Sequence, residues 1–332
     1  MARSLRRRWM LYTHKRILKT GALAVAMTIV FAIFAFRAAE WTKGLDSEFI
    51  VYGQNSGGST GTSGTGGTGS SSVKVVAQIV SGNYGNPGDP EPRSYGTVME
   101  VVNPGTSSVT ISGNFFKEDG TVSTAIPYAA NATNLTITNG SFSNYSLAPG
   151  AILVISTGTS SQNTPAVAGT NWGKFTASGP ISVTSFFELR HSQTRQLFAR
   201  VGVPASRADL GTFLIARVRE KQTADGLRAG LADIDTGFAL VNTGSVPTLV
   251  TVSVKDANGQ TVGTPKLIAL AAGQHVANFV SLLYSDFNEA AGEGRKYQYI
   301  KFDVGSSPAT VAAAGLAIEG GSLSSFPVDA IQ

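Results

Sequence analysis

The residues best suited to acid–base or metal chemistry in this chain are its three histidines, and their placement argues against both uses. His14, His191 and His275 fall in separate segments, and none has a His, Cys or carboxylate neighbour at metal-ligand spacing. His191 lies in "ELRHSQTRQ", where it is expected to cap a hairpin between two strands. Glu188, Arg190 and Arg195 around it would pair across that hairpin or contact a ligand. Asp256 and Asn258 before Gly259 have part of a calcium-loop pattern without its remaining ligands, so a plain hairpin turn is expected there. Asp89 and Glu91 in "NPGDPEPR", and Asp286, Glu289 and Glu293 in "SDFNEAAGEG", form acidic loops in which surface calcium is the alternative to simple solvation. Gly-x-Ser-x-Gly and Gly-x-Gly-x-x-Gly spellings occur only inside the Gly/Ser/Thr stretch, at Gly57–Gly61 and Gly64–Gly69, without the strand-to-helix turn that gives either its chemistry, and a phosphate-binding Gly-Lys-Ser/Thr is absent from the sequence. No catalytic residue, metal site or cofactor is expected, and no ligand-binding residue is singled out.

One further loop carries potential modification chemistry. "NATNLTITNGSFSNYS" contains four Asn-x-Ser/Thr sequons, at Asn131, Asn134, Asn139 and Asn144. These are glycan acceptors in a eukaryotic secretory protein and an exposed polar loop in a bacterial one. Phe142 and Tyr145 beside them would either stack on sugar rings or pin the loop to the fold.

Charge places the chain before it describes its shape. Of 26 Lys and Arg, seven lie in residues 1–19 with no acid among them, which leaves 19 basic against 21 acidic residues elsewhere. The remainder is near neutral, and nucleic-acid binding through a basic face is disfavoured. After this basic cytoplasmic tail, residues 20–37 form a transmembrane signal anchor whose core, "TGALAVAMTIVFAIFAF", has neither charge nor proline. As a helix it would run about 25 Å, close to the hydrocarbon thickness once Lys19 and Arg37 snorkel to the headgroups. The excess of positive charge on its N-terminal side puts the N-terminus in the cytoplasm and the bulk of the chain in the periplasm or outside the cell. A cleaved signal peptide is the alternative, but the candidate cleavage sites put Phe36 or Arg37 at −3, where a small residue is needed. A twin-arginine signal around Arg7-Arg8 matches loosely.

Residues 38–72 comprise a juxtamembrane stretch and the Gly/Ser/Thr linker "GQNSGGSTGTSGTGGTGSSS". Its composition predicts a disordered coil with a root-mean-square span of roughly 25 Å. The chain has no cysteine, so the region beyond the linker must hold together by burial alone.

That region reads twice. Val102-Asn103, Gly105 and Gly120 recur as Val241-Asn242, Gly244 and Gly259, all displaced by 139 residues. "SLAPGA" then answers "ALAAGQ", and Lys174-Phe175 answers Lys301-Phe302. The repeat defines two modules, 73–205 and 206–332. Within them the period is two: Val250, Val252 and Val254 share one face against Leu249, Thr251, Ser253 and Lys255 on the other. "DANGQ" and "KEDGT" are hairpin turns, and about seven short strands per module predict an all-β fold of two tandem Ig-like antiparallel β-sandwiches. "FVSLLYSDF" is expected to contain a short helical turn.

The succession "VVNPG", "KEDG", "LAPG", "RVGVPAS", then "FALVN", "DANG", "LAAG" and "FPV" resembles the paired β-sandwich tail of many uncharacterised secreted and surface proteins of environmental bacteria. The resemblance covers nearly all of the chain beyond the linker, and its motifs are turns and core positions. It implies a fold and brings no catalytic residues with it. The usual tail ends a larger secreted protein, whereas this one stands behind an anchor. Longer loops at 125–146, 220–235 and 285–297 are the first places to seek a binding surface. The expectation is a non-catalytic, membrane-anchored, extracytoplasmic protein. It would meet the lipid bilayer through residues 20–37 and a cell-envelope protein through its sandwiches, with polysaccharide binding and adhesion as the alternative.

Overall fold

The computed structural model describes residues 71–84, 93–123, 128–157, 169–216, 219–220, 234–284, 299–305, 308, 310–319 and 322–331. The basic tail, the apolar segment 20–37 and nearly all of the linker lie outside the described residues, within which no helix is long and apolar enough to cross a membrane.

The described chain is all-β. Its first strands are β1 (Ser72–Tyr84), β2 (Arg93–Val102), β3 (Val109–Lys117), β4 (Tyr128–Ala129), β5 (Ser141–Leu147), β6 (Ile152–Ser156), β7 (Gly169–Ala177), β8 (Ser182–His191) and β9 (Leu197–Pro204). Then come β10 (Thr212–Ala216), β11 (Arg219–Glu220), β12 (Ile234–Asn242), β13 (Thr248–Lys255), β14 (Thr261–Leu270) and β15 (His275–Phe279). The one-turn helix α1 (Val280–Leu283) is next, with β16 (Tyr299–Val304), β17 (Val311–Glu319), β18 (Ser322–Phe326) and β19 (Val328–Ile331) after it. The helical turn expected at "FVSLLYSDF" is α1, whose first turn is held by the Asp235 carboxylate accepting from the Ser281 backbone N–H and hydroxyl.

All pairings between strands are antiparallel, and none joins β1–β9 to β10–β19. In the first half β5-β3-β7-β1 form one layer, and β6-β2-β8-β9 the other. The long β1 belongs to both: Ser72–Ser81 pair with β7, and Gly82–Tyr84 with β2. The second half repeats every one of these pairings, with β14-β13-β16-β10 in one layer and β15-β12-β17-β18 in the other. There the role of β1 is divided between β10 and β11, which separates two five-stranded sheets where the first half has one of nine. The halves share eight strands, one more than the about seven expected per module, and the division of β1's counterpart, the short β4 against β6 and β19 against β10 bring the counts to nine and ten.

Alternation decides what each strand buries. Val250, Val252 and Val254 are fully buried while Leu249 on the opposite face is exposed, as the period of two requires. Phe213 and Phe302 stack in the same core at 4.7 Å, and Phe238 meets Phe302 edge-on. The first half has its own core around Phe115, Phe142 and Phe175.

The repeated Asn of "VVN" and "LVN" ties two turns together in the first half and three in the second. The Asn103 side-chain amide N–H donates to the carbonyls of Ser107 and Leu147, and its Oδ1 accepts from Gly105 N–H. Asn242 donates likewise to Val246, Leu270 and Ala271, and accepts from Gly244 N–H and the Thr310 hydroxyl. Both side chains are completely buried, so these bonds satisfy groups that water does not reach.

Candidate functional site

The two halves are joined by a third apolar cluster that belongs to neither core. From the first half come Val75, Ala77 and Val80 on the outward side of β1, with Trp172, Val201 and Val203. The second half supplies Ala239, Val241, Ala312 and Ala314 from the outward face of β12 and β17. Small side chains on one surface let the backbone approach, and the large rings of the other fill the space. Alternation along β1 turns Val75 and Ala77 outward and Val76 into the first core, and the register slip between Val76 and Ile79 returns Ile79 to the inner face and Val80 to the outer one.

Beside this cluster the turn after β3 meets the turn before β15. Gly120 and Gly273 both have positive φ, and a Cβ on Gly120 would lie 2.9 Å from the Gly273 carbonyl group. Their contact is backbone on backbone, which only glycine permits. The Trp172 indole N–H donates to the Gly273 carbonyl at 3.0 Å, and its ring stacks on Phe116 at 4.3 Å. His275 N–H donates to the Glu118 carbonyl at 2.8 Å. Burial, with a smaller contribution from Asp119, pushes the Glu118 carboxyl above its ordinary range. The His275 ring is completely buried with no hydrogen-bond partner on either nitrogen, and burial lowers its pKa to about 4.

The other candidates are occupied by structure. His191 ends β8, and its Nδ1 accepts from the backbone N–H groups of Gln193 and Thr194, which caps the hairpin to β9 as expected. Glu188 pairs with Arg190 on its own strand at 2.8 Å, and with Arg200 on β9 at 3.5 Å, an ion-pair distance without hydrogen-bond geometry. Arg195 contributes a backbone carbonyl to Arg190, so the cross-strand cation is Arg200, which the residue pattern around His191 does not single out. Arg200 also reaches Glu100 at 3.4 Å and lies 4.0 Å above the Phe186 ring.

Asp256 spends its carboxylate on the N–H groups of Asn258 and Gln260, with Gly259 in the left-handed region, so this is the hairpin turn and not a cation loop. No group of three potential metal ligands occurs among the described residues. His14, Asp89, Glu91, Asp286, Glu289 and Glu293 lie outside them, as do the loop 285–297 and most of 220–235.

Within the polar loop, Asn131 lays its amide along β6, donating to the Ile152 carbonyl and accepting from Val154 N–H. That side chain is engaged as a strand edge would be. Asn134, Asn139 and Asn144 are exposed, the last two at positive φ. Phe142 is buried against Phe175, which rules out stacking on a sugar, and Tyr145 packs against the same core. Both rings pin the loop to the fold.

Comparison of the chain with protein-family models, with curated proteins and with solved structures gives no match.

Proposed function

We propose that this protein is a non-catalytic, membrane-anchored presenter: two Ig-like β-sandwich modules, docked as one body, held outside the cytoplasm by the signal anchor at residues 20–37 and making protein contacts at the cell envelope. The observation that carries the reading is the third apolar cluster. Docked modules present a composite surface of fixed shape, which suits recognition of a protein better than two independently swivelling domains would. The Gly/Ser/Thr composition of the linker adds reach between that body and the bilayer. Protein contact is preferred to polysaccharide binding because the rings of Phe142 and Trp172 are spent on packing. Of the exposed large hydrophobic side chains described, Tyr128 alone is aromatic.

Protease added to intact spheroplasts is expected to degrade the region beyond residue 72 and leave a short membrane-bound fragment. Full protection of the chain would refute the orientation. Crosslinking in the membrane is expected to capture envelope proteins, whereas retention on polysaccharide with free-sugar competition would replace this reading by the adhesive one.

A further inference from the structure

His275 is buried by the neighbouring half and not by its own. It sits opposite Val241 on the edge strand β15, and the repeat makes Val102 and Ile152 its counterparts in the first half. Ile152 is 48% exposed; His275 is 3% exposed. The difference is the docked turn, which accepts the His275 backbone N–H on Glu118 and packs Gly120 against Gly273. Ala277, two residues along β15, belongs to the edge of the same inter-half cluster.

We propose that His275 makes this junction an acid-labile joint: protonating the imidazole separates the two halves while each keeps its own core. The inference rests on the docked arrangement and is independent of the membrane anchor. An imidazolium carries two N–H donors and no acceptor, and a buried charge without partners is strongly disfavoured. Ionisable groups on the surrounding elements are Lys117, Glu118 and Asp119 on the turn, Lys174 on β7, and Asp235 on β12, which is engaged by Ser281. None contributes to the lowered pKa of His275, whose cause is burial. Water reaches the ring at least disruption when the turn lifts away, because the equivalent position of an uncovered half is already wet.

The signs separate the groups. The His275 pKa in the docked state lies below its free value of 6.5, so its contribution is full above that pH and lost as pH falls towards about 4. Over that range the docking equilibrium weakens on the order of a hundred-fold. Glu118 has a raised pKa, so its protonation favours the docked form and opposes the opening. Asp119 is held below its ordinary value chiefly by Thr121, and its stabilisation is lost only at still lower pH.

Trp172 reports the event. Replacing Trp9 and Trp41 by Phe in the full chain leaves it as the single tryptophan. Its emission is expected to shift to the red between pH 6.5 and 4 with unchanged far-UV circular dichroism, and His275→Leu is expected to abolish the shift. The same red shift in His275→Leu, or none in the parent, overturns the proposal. Should that variant fail to fold, ring-13C NMR of the unsubstituted histidine decides. A His275 titration near pH 4 that coincides with the Trp172 transition supports the joint, and one near 6.5 overturns it.

Discussion

Asn242→Ala is expected to destabilise the second half by about 4 kcal/mol, read from its urea midpoint. The size comes from the groups that truncation strands. The carbonyls of Val246, Leu270 and Ala271 lose a donor, while Gly244 N–H and the Thr310 hydroxyl lose an acceptor. The residue is completely buried, so water cannot replace those bonds without opening the strand ends. Asn242→Asp is not a rescue, since its carboxylate keeps the acceptor role and loses the amide donor. Asn103→Ala is expected to cost less, because its amide serves two carbonyls. A loss under 1 kcal/mol at Asn242 would mean that the three turns do not depend on it.

Trp172→Ala is expected to remove about 3–5 kcal/mol, and to remove it from docking and not from either core. The ring contacts Phe116 and the inter-half cluster, while its indole N–H bridges directly to Gly273 of the second half. The adjacent Gly173 faces the other way, towards Phe115 and Ile79 of the first core. Unfolding of the parent should be one cooperative transition, and the variant should show two. Loss of secondary structure in the first half alone would place Trp172 in the wrong layer.

Much of this architecture is legible in the sequence because hydrophobic period and turn chemistry are local. The 139-residue displacement of Val102-Asn103, Gly105 and Gly120 matches the common role of their counterparts in the structure, down to the buried amide of each Asn. The docking is harder to read, although the sequence carries a signal of it. In "VMEVVN" the outward position is Glu100; in "FALVN" it is Ala239, and "VAAAG" on β17 is apolar on both faces. Continuous apolar character in an antiparallel strand means that both faces are covered. The counterpart face on the first half carries Glu100, Glu188, Arg190 and Arg200 as ion pairs, a polar surface of the kind that ends a repeat array. His275 looks isolated in the sequence because the turn that docks against it, at residues 118–120, is more than a hundred positions away. Arg195 looks like the cross-strand partner because it is nearer in sequence, but it lies in the turn at positive φ, and the ladder places Arg200 opposite Glu188.

The docked body itself is open to direct measurement, since a chain without cysteine takes spin labels only where they are introduced. Val122→Cys and Val246→Cys place one label on an exposed position of each half. Double electron–electron resonance on the full chain at pH 7 is expected to give one narrow distance distribution, which broadens in Trp172→Ala. A broad distribution in the otherwise unaltered chain would contradict the docking on which the proposed function rests.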